Sequence, residues 1–563
     1  MTTQLLIIGL DGATLDLIEP WARAGHLPNL AALIECGSAG RLTSTVPAMT
    51  LPAWSTFLTG CYPGRHGMFD FTRRVPGRYA VQFVNSTHRR EPTFLRRLSD
   101  AGCRVAALGV PTTYPPEPIN GALIAGFDSP VATNRDASFA YPPELYAELQ
   151  RATGGFPLTD LQELRVGPGW HRHALCHLTR AIDGQLRAAS YLLRREVWDC
   201  FVVVFGASDT VSHHFWAYCD PDSPRFDAAG AAEFGDAIRR VYEQLDRAVG
   251  RLWADAGPCV DLLVVSDHGF GGTGDIAVSI NRYLNQSGLL AFTARRPAAN
   301  RAPQLLKQAG LRLVPSAAQQ AIFRRMGGLV DWLESGSRFG HIDWTGTLAY
   351  SEELNYFPSV WINRAGREPG GIVPPADYER IRDRVIRALH HWRDEITGQP
   401  VVRRACRREE LYAGPALEEA PDVVVELAYQ QVNGRAYSFA VEAARTPGPP
   451  TRRLAPSERI GAKGRSMNGS HRPDGILMAA GPSIHSGASL EGATLADIAP
   501  TLLTLLGHSP DGMEGRVLTE LLADTRQAPA MFLVDWAPQP ERLYSAAEAA
   551  ILAGRLRSLG YIE

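Results

Sequence analysis

The chain has 563 residues, 45% of them hydrophobic and 21% charged, which suits about three to four domain-sized units with ordinary cores and excludes global disorder. Its 57 basic residues against 59 acidic ones leave a net charge of −2, which argues against nucleic-acid binding through bulk charge. No run reaches the ~18–20 apolar residues of a membrane span, the start lacks the basic leading end of a signal peptide, and eight scattered cysteines form no CxxC pair, so a cytoplasmic protein with reduced thiols is expected.

The first predicted strand is Leu5-Leu6-Ile7-Ile8-Gly9-Leu10, ending at Asp11-Gly12. Two later runs end in the same manner: Phe201–Phe205 leads to Asp209, and Leu262–Val265 leads to Asp267-His268. Short Val/Ile/Leu runs without alternation fit strands buried on both faces. Helical patterns lie between them, as around Ala231 to Ala254. Strands alternating with helices predict an α/β fold with a mostly parallel central sheet, in which ligands bind beyond the carboxyl ends of the strands. Each of the three runs places an aspartate there.

The segment Pro47 to Gly60 holds Thr50 and, two residues on, Pro52, a residue suited to the first turn of a helix. Thr50 is then expected at a helix N-terminus, a position that favours anions and equally one where threonine serves as an ordinary cap. Residues 1–290 read as the first part of a catalytic core and 291–455 as an inserted cap region. The insertion opens with an arginine-bearing helical stretch, Arg295 to Arg325, followed by strand-like Thr347–Tyr350 and Ser359–Asn363. After the linker Pro447-Gly448-Pro449-Pro450, residues 456–525 return to the core, and 526–563 form a helical tail around Tyr544 to Leu559.

Taken singly, an aspartate after a strand is most often a turn or cap residue. Taken together, Asp11, Asp209, His213, Asp267, His268 and His471 form an oxygen and nitrogen set suited to zinc, with manganese or iron as alternatives. Asp209 and His213 stand four apart, one turn of a helix. His66 and His214 read as packing histidines, and Arg65 and Arg472 as either substrate-binding or structural.

In these segments the sequence resembles the alkaline phosphatase superfamily, and specifically its type I phosphodiesterase/nucleotide pyrophosphatase branch. The matching segments are Gly9-Leu10-Asp11-Gly12, Thr50-Leu51-Pro52 with Leu58-Thr59-Gly60 and Tyr62 to Gly67, Asp209 with His213, Asp267-His268-Gly269, Gly469-Ser470-His471 and Asp497 to Thr501. The resemblance implies an alkaline-phosphatase-like sheet flanked by helices and two divalent metal ions. One would be held by Asp11, Thr50, Asp267 and His268, the other by Asp209, His213 and His471. It implies Thr50 as nucleophile in metal-dependent hydrolysis of a phosphodiester or pyrophosphate in a small-molecule substrate. A phosphomonoesterase, phosphonate hydrolase or phosphotransferase could use the same site, and a binding protein could keep only the fold. Cys61 to Arg65 also matches the CxPxR of sulfatases, but counting back ten residues from Gly60 reaches Thr50, which leaves Cys61 a structural role. After His66-Gly67 the family's diesterases often carry an asparagine. Here Met68, Phe69, Asp70 and Phe71 stand in its place, which leaves the oxygen-binding group, and hence substrate preference, open. The sequence leaves the oligomeric state open as well.

Overall fold

A computed structural model describes residues 3–129, 137–158, 169–293, 339–353, 357–459, 467–523, 540–545, 548–549 and 551–553. Its centre is an eight-stranded sheet. In chain order its strands are β1 (Leu5–Leu10), β2 (Ser38–Thr43), β3 (Val105–Val110), β4 (Gly121–Ala125), β5 (Ala140–Tyr141), β6 (Cys200–Phe205), β7 (Asp261–Val265) and, much later in the chain, β10 (Asp474–Ala480). Their order across the sheet is β2-β10-β7-β1-β6-β3-β4-β5. The middle of the sheet, from β7 through β1, β6 and β3 to β4, is parallel. The edges are antiparallel: β5 against β4, and the returning β10 against both β7 and β2. The fold is therefore the largely parallel α/β sheet expected, with antiparallel margins that the apolar runs did not disclose.

β1 is buried along its whole length, as are β6 and β7. Helices flank the sheet, as uninterrupted apolar strands require. The helical pattern around Ala231 resolves into two helices, Ala228–Phe234 and Ala237–Ala256, the second amphipathic with Ile238, Val241, Leu245, Val249 and Leu252 buried. The closing helix follows a short 3₁₀ turn at Leu495–Asp497 and spans Ile498–Leu505. The arginine-bearing stretch Arg295 to Arg325 and most of the helical tail lie outside the described residues.

Beyond β7 the chain enters β8 (Gly269–Val278), a ten-residue strand that is buried throughout. It pairs with β9 (Gly469–Arg472) at its start and with Arg435–Val441 and Thr451–Arg453 further along. A separate four-stranded sheet is formed by Ala349–Ser351, Val360–Ile362, Val423–Leu427 and Val402–Arg407. The helix Tyr378–His391 lies against it. The strand-like reading at 347–350 becomes the shorter, shifted strand Ala349–Ser351, and that at 359–363 is trimmed by one residue at each end to Val360–Ile362. A second apolar core forms here, and it draws in Ile276, Val278, Ile280 and Leu284 from before residue 290.

Helix α1 (Thr50–Thr59) is buried at every position and packs beneath the end of β1. Its approach depends on Gly9: a Cβ there would stand 2.6 Å from Trp54 and 2.8 Å from Val204. Gly9→Ala should therefore cost about 1–3 kcal/mol by overpacking. A lowered urea midpoint with an unchanged m-value is the expected result.

Candidate metal and phosphoryl-transfer site

The first aspartate is placed by β1. Asp11 N donates to Phe205 O across the parallel pair at 3.1 Å, and Ser208 Oγ donates to Asp11 O at 2.6 Å. Gly12 follows with φ +65°, a turn glycine adopts without strain, and a Cβ there would lie 3.1 Å from that of Asp209. This turn lets Gly12 N donate to Asp267 Oδ1 at 3.2 Å. Trp54 Nε1 donates to Asp11 Oδ2 at 3.2 Å.

Asp209 and His213 belong to helix α2 (Ala207–Cys219), which begins two residues past β6. The spacing of four places them one turn apart, with His213 Nε2 3.3 Å from Asp209 Oδ1. Asp267 and His268 link β7 to β8. Pairing of β8 with β9 sets Phe270 opposite His471, which brings His471 over His268 with ring centroids 3.7 Å apart. His471 Nε2 then lies 3.2 Å from Asp209 Oδ1.

All three imidazoles are fixed in the same way. His213 Nδ1 faces Gly469 O at 2.9 Å, His268 Nδ1 faces Gly269 O at 3.1 Å, and His471 Nδ1 faces Ala48 O at 3.1 Å. A carbonyl only accepts, so the proton of each neutral ring sits on Nδ1 and the Nε2 lone pair points into the site. There it meets other acceptors. His268 Nε2 is 3.3 Å from Asp267 Oδ2 and 3.6 Å from Asp11 Oδ1. His213 Nε2 and His471 Nε2 are 3.0 Å apart. Asp11 Oδ1 and Asp267 Oδ2 are buried and accept no hydrogen bond. Lone pairs converging on lone pairs in a dry interior are unfavourable unless a cation stands between them. The donor set fits divalent metal ions: Asp209, His213 and His471 each offer a ligand atom within 4.8 Å of the others, and so do Asp11, Asp209 and His268. Asp209 joins both groups, a sharing that the sequence reading, with Asp209 in one set only, did not contain.

The electrostatics agree with that fit. Burial, then the charges of Asp267 and Asp209, push the Asp11 carboxyl well above its ordinary value, and burial does the same for Asp267. Burial also pushes Asp209 upward, but positive charge on the adjoining His213 and His471 outweighs it and holds Asp209 well below the usual range; with neutral rings, a bound cation would take over that role. Burial and the neighbouring His471 hold His268 well below the usual imidazole value.

Thr50 opens α1, and its Oγ1 lies 3.4 Å from His268 Nε2. The helix begins at Thr50 rather than at Pro52. Proline is accommodated at the third position because first-turn N–H groups have no partner within the helix. Met49 holds the cap position without a side-chain cap, and the Thr50 hydroxyl is turned to His268.

Two candidates stand apart from this cluster. Arg65 donates to Glu91 through Nε at 3.0 Å and Nη2 at 2.8 Å. Arg472, next to His471 on β9, points to the other face of the strand, donates to Ala436 O at 2.6 Å and covers the Tyr429 ring at 3.9 Å. His66 is buried, its ring 2.9 Å from Thr56 Oγ1, and burial lowers it to about 3. His214 packs edge-on against Trp170. Cys61 is buried, its thiol pushed up to about 12 by burial. Trp54 escaped the sequence reading, although its place four residues after Thr50 sets both on one helix face.

A family profile described as type I phosphodiesterase / nucleotide pyrophosphatase matches residues 5–433. No curated protein matches the chain by sequence. Among solved structures, human ectonucleotide pyrophosphatase / phosphodiesterase 5 is similar at 13% identity and TM-score 0.49, covering 93% of this chain and 100% of that one. Phosphonoacetate hydrolase from Sinorhizobium meliloti 1021, solved with phosphonoformate, is similar at 15% identity and TM-score 0.49, covering 90% and 96%. Among the described residues no helix is long and apolar enough to cross a membrane.

Metal binding should register as stability. Asp11 and Asp267 have raised pKa values in the metal-free fold, so they bind protons there that the unfolded chain has already released. Their contribution is present at low pH and is lost as pH rises from the ordinary carboxylate range through the folded values. A divalent cation should reverse that loss, adding about 3 kcal/mol at a hundredfold excess over Kd. Differential scanning calorimetry of stripped protein with and without Zn2+ or Mn2+ should show an increment in Tm that grows from pH 5 to 7. Asp209→Asn should remove most of it. An equal increment at both pH values would contradict the assignment.

Proposed function

Because the chain belongs to the type I phosphodiesterase / nucleotide pyrophosphatase family of the alkaline phosphatase superfamily, and is thus a phosphoric ester hydrolase, we propose that it cleaves phosphodiester or pyrophosphate bonds of small molecules with Thr50 as nucleophile. In this reading Asp11, Asp209, His213, Asp267, His268, His471 and Thr50 hold two divalent cations, zinc foremost. The observation that carries it is the shared orientation of the three imidazoles, each Nε2 aimed at the buried aspartates, with the Thr50 hydroxyl beside them.

The chain's own groups do the following. α1 presents Thr50 Oγ1 at its N-terminus, where the N–H groups of Thr50 and Leu51 have no partner within the helix and attract phosphoryl oxygens. Trp54 holds Asp11 in place through its indole N–H. Backbone carbonyls hold the imidazoles against rotation. Bound divalent cations supply positive charge and make a hydroxyl acidic enough to attack near neutral pH. The Thr50 Oγ1–phosphorus bond forms as the ester bond to the leaving oxygen breaks, and water then releases the phosphoryl group and restores Thr50.

Thr50→Ala should lower kcat by roughly a thousandfold or more with the fold kept, while Thr50→Ser should retain part of the rate. Cys61→Ala should be mild. Rapid-quench mass spectrometry should find a covalent phosphoryl group on the Thr50 peptide. Turnover lost in Cys61→Ala and kept in Thr50→Ala would sink this assignment.

Substrate charge follows from the charge count. The three aspartates and an ionised Thr50 offset two divalent cations, which leaves the cluster close to neutral. The Arg65 and Arg472 side chains are engaged with Glu91 and with Ala436 and Tyr429. No further cation is thereby assigned to the second negative charge of a monoester. An aryl phosphodiester should show higher kcat/KM than the matching monoester at equal metal loading and pH. A monoester preferred tenfold or more would move the assignment to a phosphatase.

A further inference from the structure

A cleft of 640 Å³ opens between the core and the four-stranded sheet. One side carries Ala48 and His471, whose carbonyl and imidazole are paired at the site. The facing side carries Arg403, Arg404 and Glu426. In a regular strand, consecutive residues such as 403 and 404 point to opposite faces. Here the pairing of Val402–Arg407 with Val423–Leu427 shifts register between Val402 and Arg404, an irregularity that re-aims side chains. Both residues line the cleft, and both guanidiniums reach one acid. Arg403 Nη2 bonds Glu426 Oε2, and Arg404 Nη1 lies 3.9 Å from Glu426 Oε1. Two cations share the Glu426 carboxylate, which leaves one positive charge over on this side of the cleft. The Arg404 side chain is 44% exposed and its ion pair is long, so a ligand can recruit it readily. Asp474, the other acid on the cleft, lies 4.0 Å from Arg41, whose nearer partner is Asp16 at 2.7 Å. Phe357, 6.3 Å from the His471 ring, adds an apolar wall.

We propose that this cleft receives a substituent of the scissile phosphorus, and that Arg404 selects substituents ending in an anionic oxygen group, a carboxylate or a further phosphate. The inference rests on hydrolysis at Thr50 as proposed above. The volume suits a group of that size, and a near-neutral cluster leaves the second anion to the arginine pair. Glu426 sets the strength of the selection by withholding one guanidinium.

The test uses three 4-nitrophenyl phosphodiesters whose other substituent is methyl, 2-carboxyethyl or 2-phosphonooxyethyl. The readout is the ratio of kcat/KM for each anionic diester to that for the methyl one, in metal-loaded protein. Arg404→Glu should lower the ratio at least tenfold and Arg404→Ala about threefold, with Arg404→Lys restoring part of it. Glu426→Gln should raise it about threefold, so the prediction stands on opposite signs even if the charge reversal fails to fold. The carboxylate and phosphate arms identify which anion is preferred. Turnover of the methyl diester with ratios indifferent to both Arg404→Ala and Glu426→Gln overturns this inference alone. Failure of the wild type on all three diesters overturns the hydrolytic reading as well.

Discussion

Acceptors facing acceptors in a dry interior is the condition around which this molecule is built. Three carboxylates and three imidazole lone pairs converge with all six side chains buried, and Asp11 and Asp267 each keep an oxygen without a donor. Left alone, such a cluster would relax by rotating its rings or by swelling. It does neither, because each ring is held by its Nδ1 proton to a backbone carbonyl, and each aspartate follows a strand end or opens a helix beside one. The parallel sheet is the rigid frame for that unfavourable arrangement. Its buried β1, β6 and β7 supply the stability that the cluster itself lacks.

Much of this was legible because the strands that frame the site are buried on both faces and so read as unbroken apolar runs. Asp11, Asp209 and Asp267 follow such runs, and the four-residue interval from Asp209 to His213 fixes its own geometry once the segment is helical. Other features depend on contacts between distant segments, which periodicity does not encode. The sharing of Asp209 between two ligand groups, the antiparallel return of β10 and the stacking of His471 on His268 are of that kind. The outward direction of Arg472 was within reach of simple strand alternation once His471 was placed inward. The paired direction of Arg403 and Arg404 was not, since a register shift overrides the alternation.

β8 serves two regions at once. Its first residues, Gly269 to Gly272, pair with β9 and set the register of His471. Its last residues, Ile276 and Val278, are packed into the second apolar core. A packed strand transmits displacement poorly in part and well as a unit. The position of the region that faces the site and the position of one metal-ligand candidate are therefore fixed by the same backbone.

The same pairing bears on how such a chain can diversify. The excursion from β8 to β9 leaves the core and re-enters beside its own point of departure, because Gly269 and Arg472 are direct neighbours across the ladder. Inserting or exchanging sequence between these two strands does not ask the frame to span a new distance. Closure entropy also rises only slowly with the length of the intervening chain. Apart from Arg435–Val441 and Thr451–Arg453, which pair with β8, and Asn468, whose N donates to His213 O, the described residues between Val278 and Gly469 are in that sense a graft whose stock is already closed. New recognition surfaces can be tried there in descent without reopening the ligand cluster.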